Sequence, residues 1–251
     1  HPFRRGRKLI IVGVEIPQAD VGIITGCGRN EENKLVLQEM RKKCKTLIAL
    51  GSCATFGGIP ALANLSTRED LLEKVFRGSK TTPPAATPTQ DIPQLLDRVY
   101  AVPEVVKPDV VIPGCPPESG MIAEALVSLL EGKPFKLPEK SVCDECPTKR
   151  EKKAVSKLKR PLEPMEQKPL ADTRCFMEMG YLCLGPATRA GCAGERSGPR
   201  CVLSYMPCRG CFGPVKEGSN PMVDMMTALS SVGLDAKDIP DRAATFNRYT
   251  G

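Results

Sequence analysis

The chain has 251 residues, is 41% hydrophobic and 26% charged, and carries a formal charge of +7 with no tryptophan. That balance suits a soluble globular protein of one domain or two unequal ones, and no apolar run is long enough for a membrane span. Aromatics are too scarce for base stacking. The basic excess, gathered at Lys149, Arg150, Lys152, Lys153, Lys157, Lys159 and Arg160 with Glu151 opposing, therefore reads as a solvated strip, with no nucleic acid as partner.

From the start of the chain, Arg4-Arg5 is followed by no apolar export region, so we expect a cytoplasmic protein. Its first residue, His1, leads us to expect processing or a missing upstream segment. Val21–Thr25, Thr46–Leu50 and Asp109–Ile112 are short apolar runs of the kind found in a covered parallel sheet. Helical patterning marks Glu31–Lys43 and Glu118–Leu130, the latter with Ile122, Ala125, Leu126 and Leu129 on one face. Ser79–Pro93, rich in Pro and Thr, reads as a surface loop. Residues 1–137 thus read as an α/β domain. Past Glu139 the periodicity disappears, and residues 138–251 read as a second, mostly irregular domain containing a charged linker, Pro147–Asp172. Apolar clusters are few there, so bound metal is expected to supply much of its folding energy.

Each predicted strand ends in a glycine-containing turn that carries a cysteine: Gly26-Cys27-Gly28, Gly51-Ser52-Cys53 and Gly114-Cys115-Pro116. Ligands of open α/β sheets bind beyond the carboxyl ends of the strands, which makes Cys53 and Cys115 candidates for a metal or redox role. Cys27 reads as an ordinary turn residue and Cys44 as plain core. Eight of the twelve cysteines lie between Cys143 and Cys211, opening with Cys143-Asp-Glu-Cys146 and closing with Cys208-Arg-Gly-Cys211, with Cys175, Cys183, Cys192 and Cys201 between. Eight thiolates make two four-cysteine sites, and a Cys-x-x-Cys pair puts two sulfurs on one face of a tight turn. Disulfides fit poorly without an export signal. No acid–base or nucleophilic constellation is visible, and the only histidine is His1. On spacing alone, two iron–sulfur sites or a zinc-stapled interaction module both fit.

The motif Gly51-Ser-Cys53-Ala-Thr-Phe-Gly57-Gly58-Ile-Pro60, with Gly114-Cys115-Pro-Pro117, resembles the small subunit of nickel–iron hydrogenases. So do Cys175 to Cys192, through Gly180-Tyr-Leu-Cys183-Leu-Gly-Pro, and Met206-Pro-Cys208-Arg-Gly-Cys211-Phe-Gly-Pro214. The ending Ile239-Pro-Asp-Arg-Ala-Ala-Thr-Phe246 is similar to the cytoplasmic methyl-viologen-reducing, deazaflavin-non-reducing branch. The resemblance runs from about Glu15 onward. It implies a flavodoxin-like parallel sheet followed by an irregular iron–sulfur domain, and an electron-transfer subunit that is not itself the catalyst. It also implies a nickel–iron large subunit, a small iron–sulfur adaptor and heterodisulfide reductase as partners. The small subunit of a deazaflavin-reducing hydrogenase is the nearest alternative.

Carried over by motif, Cys53 and Cys115 match proximal-cluster ligands. Cys143, Cys146, Cys175 and Cys183 match the distal cluster, and Cys192, Cys201, Cys208 and Cys211 the medial one. Cys143 and Cys201 stand where membrane-linked relatives carry His and Pro, and thiolate in their place lowers reduction potential. Gly58 stands where oxygen-tolerant relatives carry an additional cysteine. The resemblance therefore implies two four-iron clusters in the second half. A third, proximal cluster is implied only if further ligands are supplied, because the family's first strand and its Cys-x-x-Cys pair do not precede Cys27; we expect a lost fragment, a truncated gene model or an altered proximal site. Ala193–Arg200 is a longer stretch than expected for this branch.

Overall fold

The computed structural model describes residues 15–159 and 168–250 and the backbone of residues 4–5 and 8–9. Packing divides the chain into two compact units, His1–Val111 and Ile112–Thr250. Cys115 and the helix after it thus pack with the cysteine-rich half, whereas the change in sequence character predicts a boundary at residue 137.

In the first unit a short antiparallel pair, β1 (Arg4–Arg5) and β2 (Lys8–Leu9), precedes β3 (Ala19–Ile24) and β4 (Gly28–Asn30). Then come α1 (Glu31–Lys43), β5 (Cys44–Leu50), α2 (Ser52–Phe56) and α3 (Arg68–Phe76). The unit closes with β6 (Leu95–Tyr100), α4 (Val102–Val105) and β7 (Val110–Ile112). The three expected strands form one sheet in the order β3-β5-β7. β3 and β5 pair in parallel with Val21 opposite Thr46 and Ile23 opposite Ile48, as a helical crossover requires. The antiparallel ribbon of β4 with β6 was not expected, because β4 is the short polar run Gly-Arg-Asn and the apolar residues of β6 are interrupted by Asp97 and Arg98.

Local chemistry sets these elements. α1 starts at a capping box in which the Asn30 side chain accepts from Asn33 N–H at 2.8 Å and the Asn33 side chain accepts from Asn30 N–H at 3.3 Å. Glu31 and Glu32 occupy its first turn and Arg41, Lys42 and Lys43 its last, both favourable to the helix dipole. Arg41 bonds the carbonyls of Cys44 and Lys45 and the carboxylate of Asp109, and Asp109 in turn accepts from Leu47 N–H at 2.7 Å. Gly22 leaves room for α1: a Cβ there would lie 2.5 Å from Cys44 Sγ and 3.0 Å from Met40 Cε. Ile24, Leu37, Cys44, Leu47, Ala49, Ala54 and Val102 form the core beneath, with Cys44 buried as expected. On the other face of β3, Val21 and Ile23 are 45% and 48% exposed. Ser79–Pro93 contains neither helix nor strand, as its composition predicts.

The second unit holds α5 (Ser119–Leu130), α6 (Arg200–Leu203), α7 (Pro221–Ser231) and α8 (Arg242–Phe246). Short 3-10 turns lie at Val142–Glu145, Met177–Met179 and Gly185–Ala187. Glu118 caps α5, accepting from Gly120 N–H at 2.6 Å and Met121 N–H at 3.2 Å. The face that α5 buries is Met121 and Ala125, while Leu126, expected inside, is 36% exposed.

A larger correction concerns the core. Met177, Leu184, Ala187, Met225, Leu229, Leu234, Ala236, Ile239 and Phe246 are buried together, so this unit has an apolar core of its own. Its residues are scattered over loops and short helices, which hid them from a periodicity search. Of the expected linker, Lys149 to Lys159 is described, with Lys149 paired to Asp172 and Lys153 to Glu151; Arg160 lies outside the described residues. Among the described residues no helix is long and apolar enough to cross a membrane.

Candidate metal centre

In the second unit, the turn Val142–Glu145 presents Cys143, and Cys146 follows it as its C-cap. Asp144 holds that turn by accepting from both Ser141 N–H and Ser141 Oγ, at 2.8 and 3.1 Å. Cys175 N–H bonds Lys149 O at 2.7 Å, and Lys149 N–H bonds Thr173 O at 2.8 Å. This short ladder lays the Cys175 strand alongside the one that leaves Cys146. Cys183 sits just before the turn Gly185–Ala187. As a result Cys143, Cys146, Cys175 and Cys183 all line one cavity, with Val142, Phe176, Met177 and Val202 among its apolar walls. Sequence matching grouped these four cysteines, and the fold brings them together.

Burial in this cavity keeps its thiols protonated in the absence of a bound cation. Burial pushes the Cys183 thiol up to about 12, against hydrogen bonds from Gly185 and Cys208 N–H that favour the thiolate. Burial likewise raises Cys143 to about 11, opposed by the positive charge of Arg150. Buried thiols of this kind ionise when a cation replaces the proton. Arg150 donates to Cys143 Sγ at 3.6 Å and is also hydrogen-bonded to Cys175. Thr148 Oγ1 lies 3.1 Å from Cys146 Sγ. Among the described residues no group of three His, Cys, Asp or Glu is gathered tightly enough to hold a single metal ion; the sulfurs surround a space instead. The enclosed space is about 20 Å³, and its donor set is one of thiols, the ligand type of an iron–sulfur cluster. Beyond Arg150 and Cys175 opens a cleft of about 450 Å³, bordered by Glu178, Lys216 and Asp224.

The second set is less compact. Cys192 accepts from Arg200 N–H, and burial raises its thiol to about 11. Cys211 accepts from Cys115 N–H and senses the charges of Cys201 and Cys115; burial raises it too. Cys208 stands between the sets. It lines the first cavity, its N–H donates to Cys183 Sγ at 3.3 Å, and burial raises its own thiol, with the Cys183 and Cys211 charges acting in the same direction. Cys115 therefore lies beside Cys211 within the second unit. In the first unit Cys53 occupies the first turn of α2, entered through Gly51 at φ +89°. Cys27 lies close enough for Cys53 to raise its thiol in addition to burial. Gly58 abuts the same sulfur: a Cβ there would stand 2.8 Å from Cys53 Sγ.

Sequence reasoning missed the acidic residues that hold these loops. Glu145 accepts from Gly191 N–H at 2.6 Å and Ala193 N–H at 3.4 Å, on either side of Cys192. Glu178, 2% exposed, accepts from Glu151 N–H and Lys152 N–H at 2.7 and 2.9 Å. Glu118 meets Arg196 at 3.4 Å and pins the stretch Ala193–Arg200. The usable signal was the position of Glu145 inside the Cys-x-x-Cys loop; Glu118 and Glu178 carried none.

A family model described as NADH ubiquinone oxidoreductase, 20 Kd subunit, matches residues 4–129. The chain is also 42% identical over 237 residues to the G subunit of the vhu F420-non-reducing hydrogenase of Methanocaldococcus jannaschii, covering 94% of this chain and 79% of that one. It belongs to the F420-non-reducing hydrogenase G-subunit family. The G subunit of Methanothermobacter thermautotrophicus is similar at 38% identity over 221 residues, 86% of this chain and 69% of the relative. Among solved structures, a NAD+-reducing [NiFe]-hydrogenase in the H2-reduced state is 35% identical over 49% of this chain and 70% of that chain, with a TM-score of 0.46. On the similarity to these G subunits over most of its length, the chain is a hydrogenase small subunit, part of an oxidoreductase and of an iron–sulfur family.

Proposed function

We propose that this subunit conducts electrons from hydrogen oxidation on a separate nickel–iron large subunit to a low-potential acceptor in the cytoplasm, through two four-iron clusters in its second half. The observation that carries this reading is the convergence of Cys143, Cys146, Cys175 and Cys183 on one cavity. These four would hold the distal cluster, and Cys192, Cys201, Cys208 and Cys211 the medial one. When bound, such clusters accept and release single electrons at potentials tuned by hydrogen bonds to their sulfurs. The N–H groups of Gly185, Cys208, Arg200 and Cys115 already point at sulfurs of both sets. Cys208, shared between the two surroundings, supports placing the clusters side by side.

Cys53 and Cys115 are proposed as two ligands of a third, proximal cluster, completed only when other groups supply the remaining positions. All-thiolate ligation through Cys143 and Cys201 favours low potential, which fits heterodisulfide reductase, reached through a small iron–sulfur adaptor, as the acceptor. The test is anaerobic purification with the large subunit, followed by iron, sulfide and zinc analysis. About eight irons per chain are expected from two four-iron clusters, or about twelve with a third. Stoichiometric zinc without iron would contradict the reading.

A further inference from the structure

Arg150 is the one member of the basic strip whose cationic group meets sulfur rather than carboxylate or solvent among the described contacts. Its guanidinium donates to Cys143 Sγ at 3.6 Å and is hydrogen-bonded to Cys175, two sulfurs of the same cavity. An exposed arginine normally samples many rotamers at little cost. Here the backbone on both sides is fixed. Before it, Lys149 is laddered to Thr173 and Cys175. After it, the successive N–H groups of Glu151 and Lys152 close on the buried Glu178 carboxylate, with Lys152 at φ +56° turning the chain into that grip. Arg174 Nε meets the same carboxylate at 3.5 Å, so Glu178 has an ion-pair partner of its own, although its charge also acts on Arg150. Lys149, its immediate neighbour, points to Asp172 at 3.0 Å instead.

We propose that Arg150 is a potential-setting residue: a cation held by the Glu178 grip over Cys143 and Cys175, which favours the reduced form of the group those cysteines bind. The inference rests on the cluster reading above. One electron arriving from hydrogen oxidation adds one negative charge to the site, and one electron leaves to a one-electron acceptor protein. Arg150 exchanges no proton and stays guanidinium throughout. A fixed positive charge and N–H donors stabilise the added charge and so raise the reduction potential. The cleft beyond Arg150 and Cys175 leaves the same residues open on their outer side. Electrons would then be held at this exit instead of returning inward.

The test is a dithionite titration, followed by paramagnetic resonance, of the anaerobically prepared complex with its large subunit, in wild type, Arg150→Gln, Arg150→Lys and Lys149→Gln. The glutamine variant should shift one cluster signal to a more negative midpoint, the lysine variant should shift it less, and Lys149→Gln, equal in net charge to Arg150→Gln, should leave it in place. Equal shifts for the two glutamine variants, or no shift in either, would overturn the proposal. Should Arg150→Gln fail to load iron, Arg150→Lys decides: a lowered midpoint supports the assignment and an unchanged one refutes it. A wild-type complex with no iron–sulfur signal would overturn the cluster reading and this proposal together, whereas a signal with an unmoved midpoint overturns the proposal alone.

Discussion

Among the described residues, the buried polar side chains of the first unit are the hydroxyls of Ser52 and Thr55; those of the second include the carboxylates of Glu118 and Glu178 and the guanidinium of Arg189. The difference follows from how each unit satisfies its backbone. β3, β5 and β7 pair their N–H and C=O groups with one another, and apolar side chains fill the space beneath. Loops that must turn sulfurs inward have only short ladders, such as the one joining Lys149 to Thr173 and Cys175, and their remaining buried donors still need acceptors. Glu145, Glu178 and Glu118 supply them, each taking two backbone N–H groups. The second unit therefore leans more on carboxylates that each take two amides, whereas Asp109 and Glu104 of the first take one each.

The sharpest way to break that contrast is Glu178→Ala. Removing the acceptor shared by two amides should cost about 1–3 kcal/mol for each donor left unsatisfied, and the amides of Glu151 and Lys152 should lose hydrogen-exchange protection while those of β5 keep theirs. Retained protection at both amides would mean the carboxylate is not what holds them.

Next in size is a matched pair of core deletions, Leu47→Ala in the sheet and Leu229→Ala in the second unit, both fully buried. Each should cost about 2–5 kcal/mol in chemical denaturation. A cost for Leu229→Ala far below that of its partner would show that the second unit's apolar core contributes little.

A smaller effect is expected at the α1 cap. Asn30→Ala removes the acceptor for Asn33 N–H and should cost about 1 kcal/mol, read as a lower denaturation midpoint with an unchanged slope.

The smallest effect sharpens the contrast from the first unit's side. Burial opposes ionisation of Asp109, yet its bonds with Arg41 and Leu47 N–H outweigh it and hold its carboxyl below the usual value. Its contribution is present above the unfolded carboxyl pKa, about 3.9, and is lost as pH falls through the lower folded value. Because the pair is partly exposed, Asp109→Asn should cost no more than about 1 kcal/mol at neutral pH. The gap from wild type should close under acid.

Legibility in the sequence followed the same division. α1 was legible from its periodicity to the residue, and the three strands to within one or two, because a covered sheet demands contiguous apolar runs. The β4–β6 ribbon was not, since β4 is three polar residues long and Asp97 and Arg98 break the apolar pattern of β6, although Val99 is fully buried. In the second unit the grouping of Cys143, Cys146, Cys175 and Cys183 was readable through family motifs. The carboxylate grips were not, because a glutamate that accepts two amides has no spacing rule to betray it. Met225 and Leu229 share a helix whose packing partners, Met177 and Phe246, are remote in sequence.

Cys143, Cys146, Cys175 and Cys183 are proposed to bind one cluster together. Mössbauer spectroscopy of the iron-57-loaded complex, comparing wild type with Cys183→Ser and Cys192→Ser, tests it most directly. The account predicts that each variant loses or perturbs a different four-iron component, about half of the second unit's iron in each case. If both variants disturb the same component, or if Cys183→Ser leaves the spectrum unchanged, the four cysteines do not form one site.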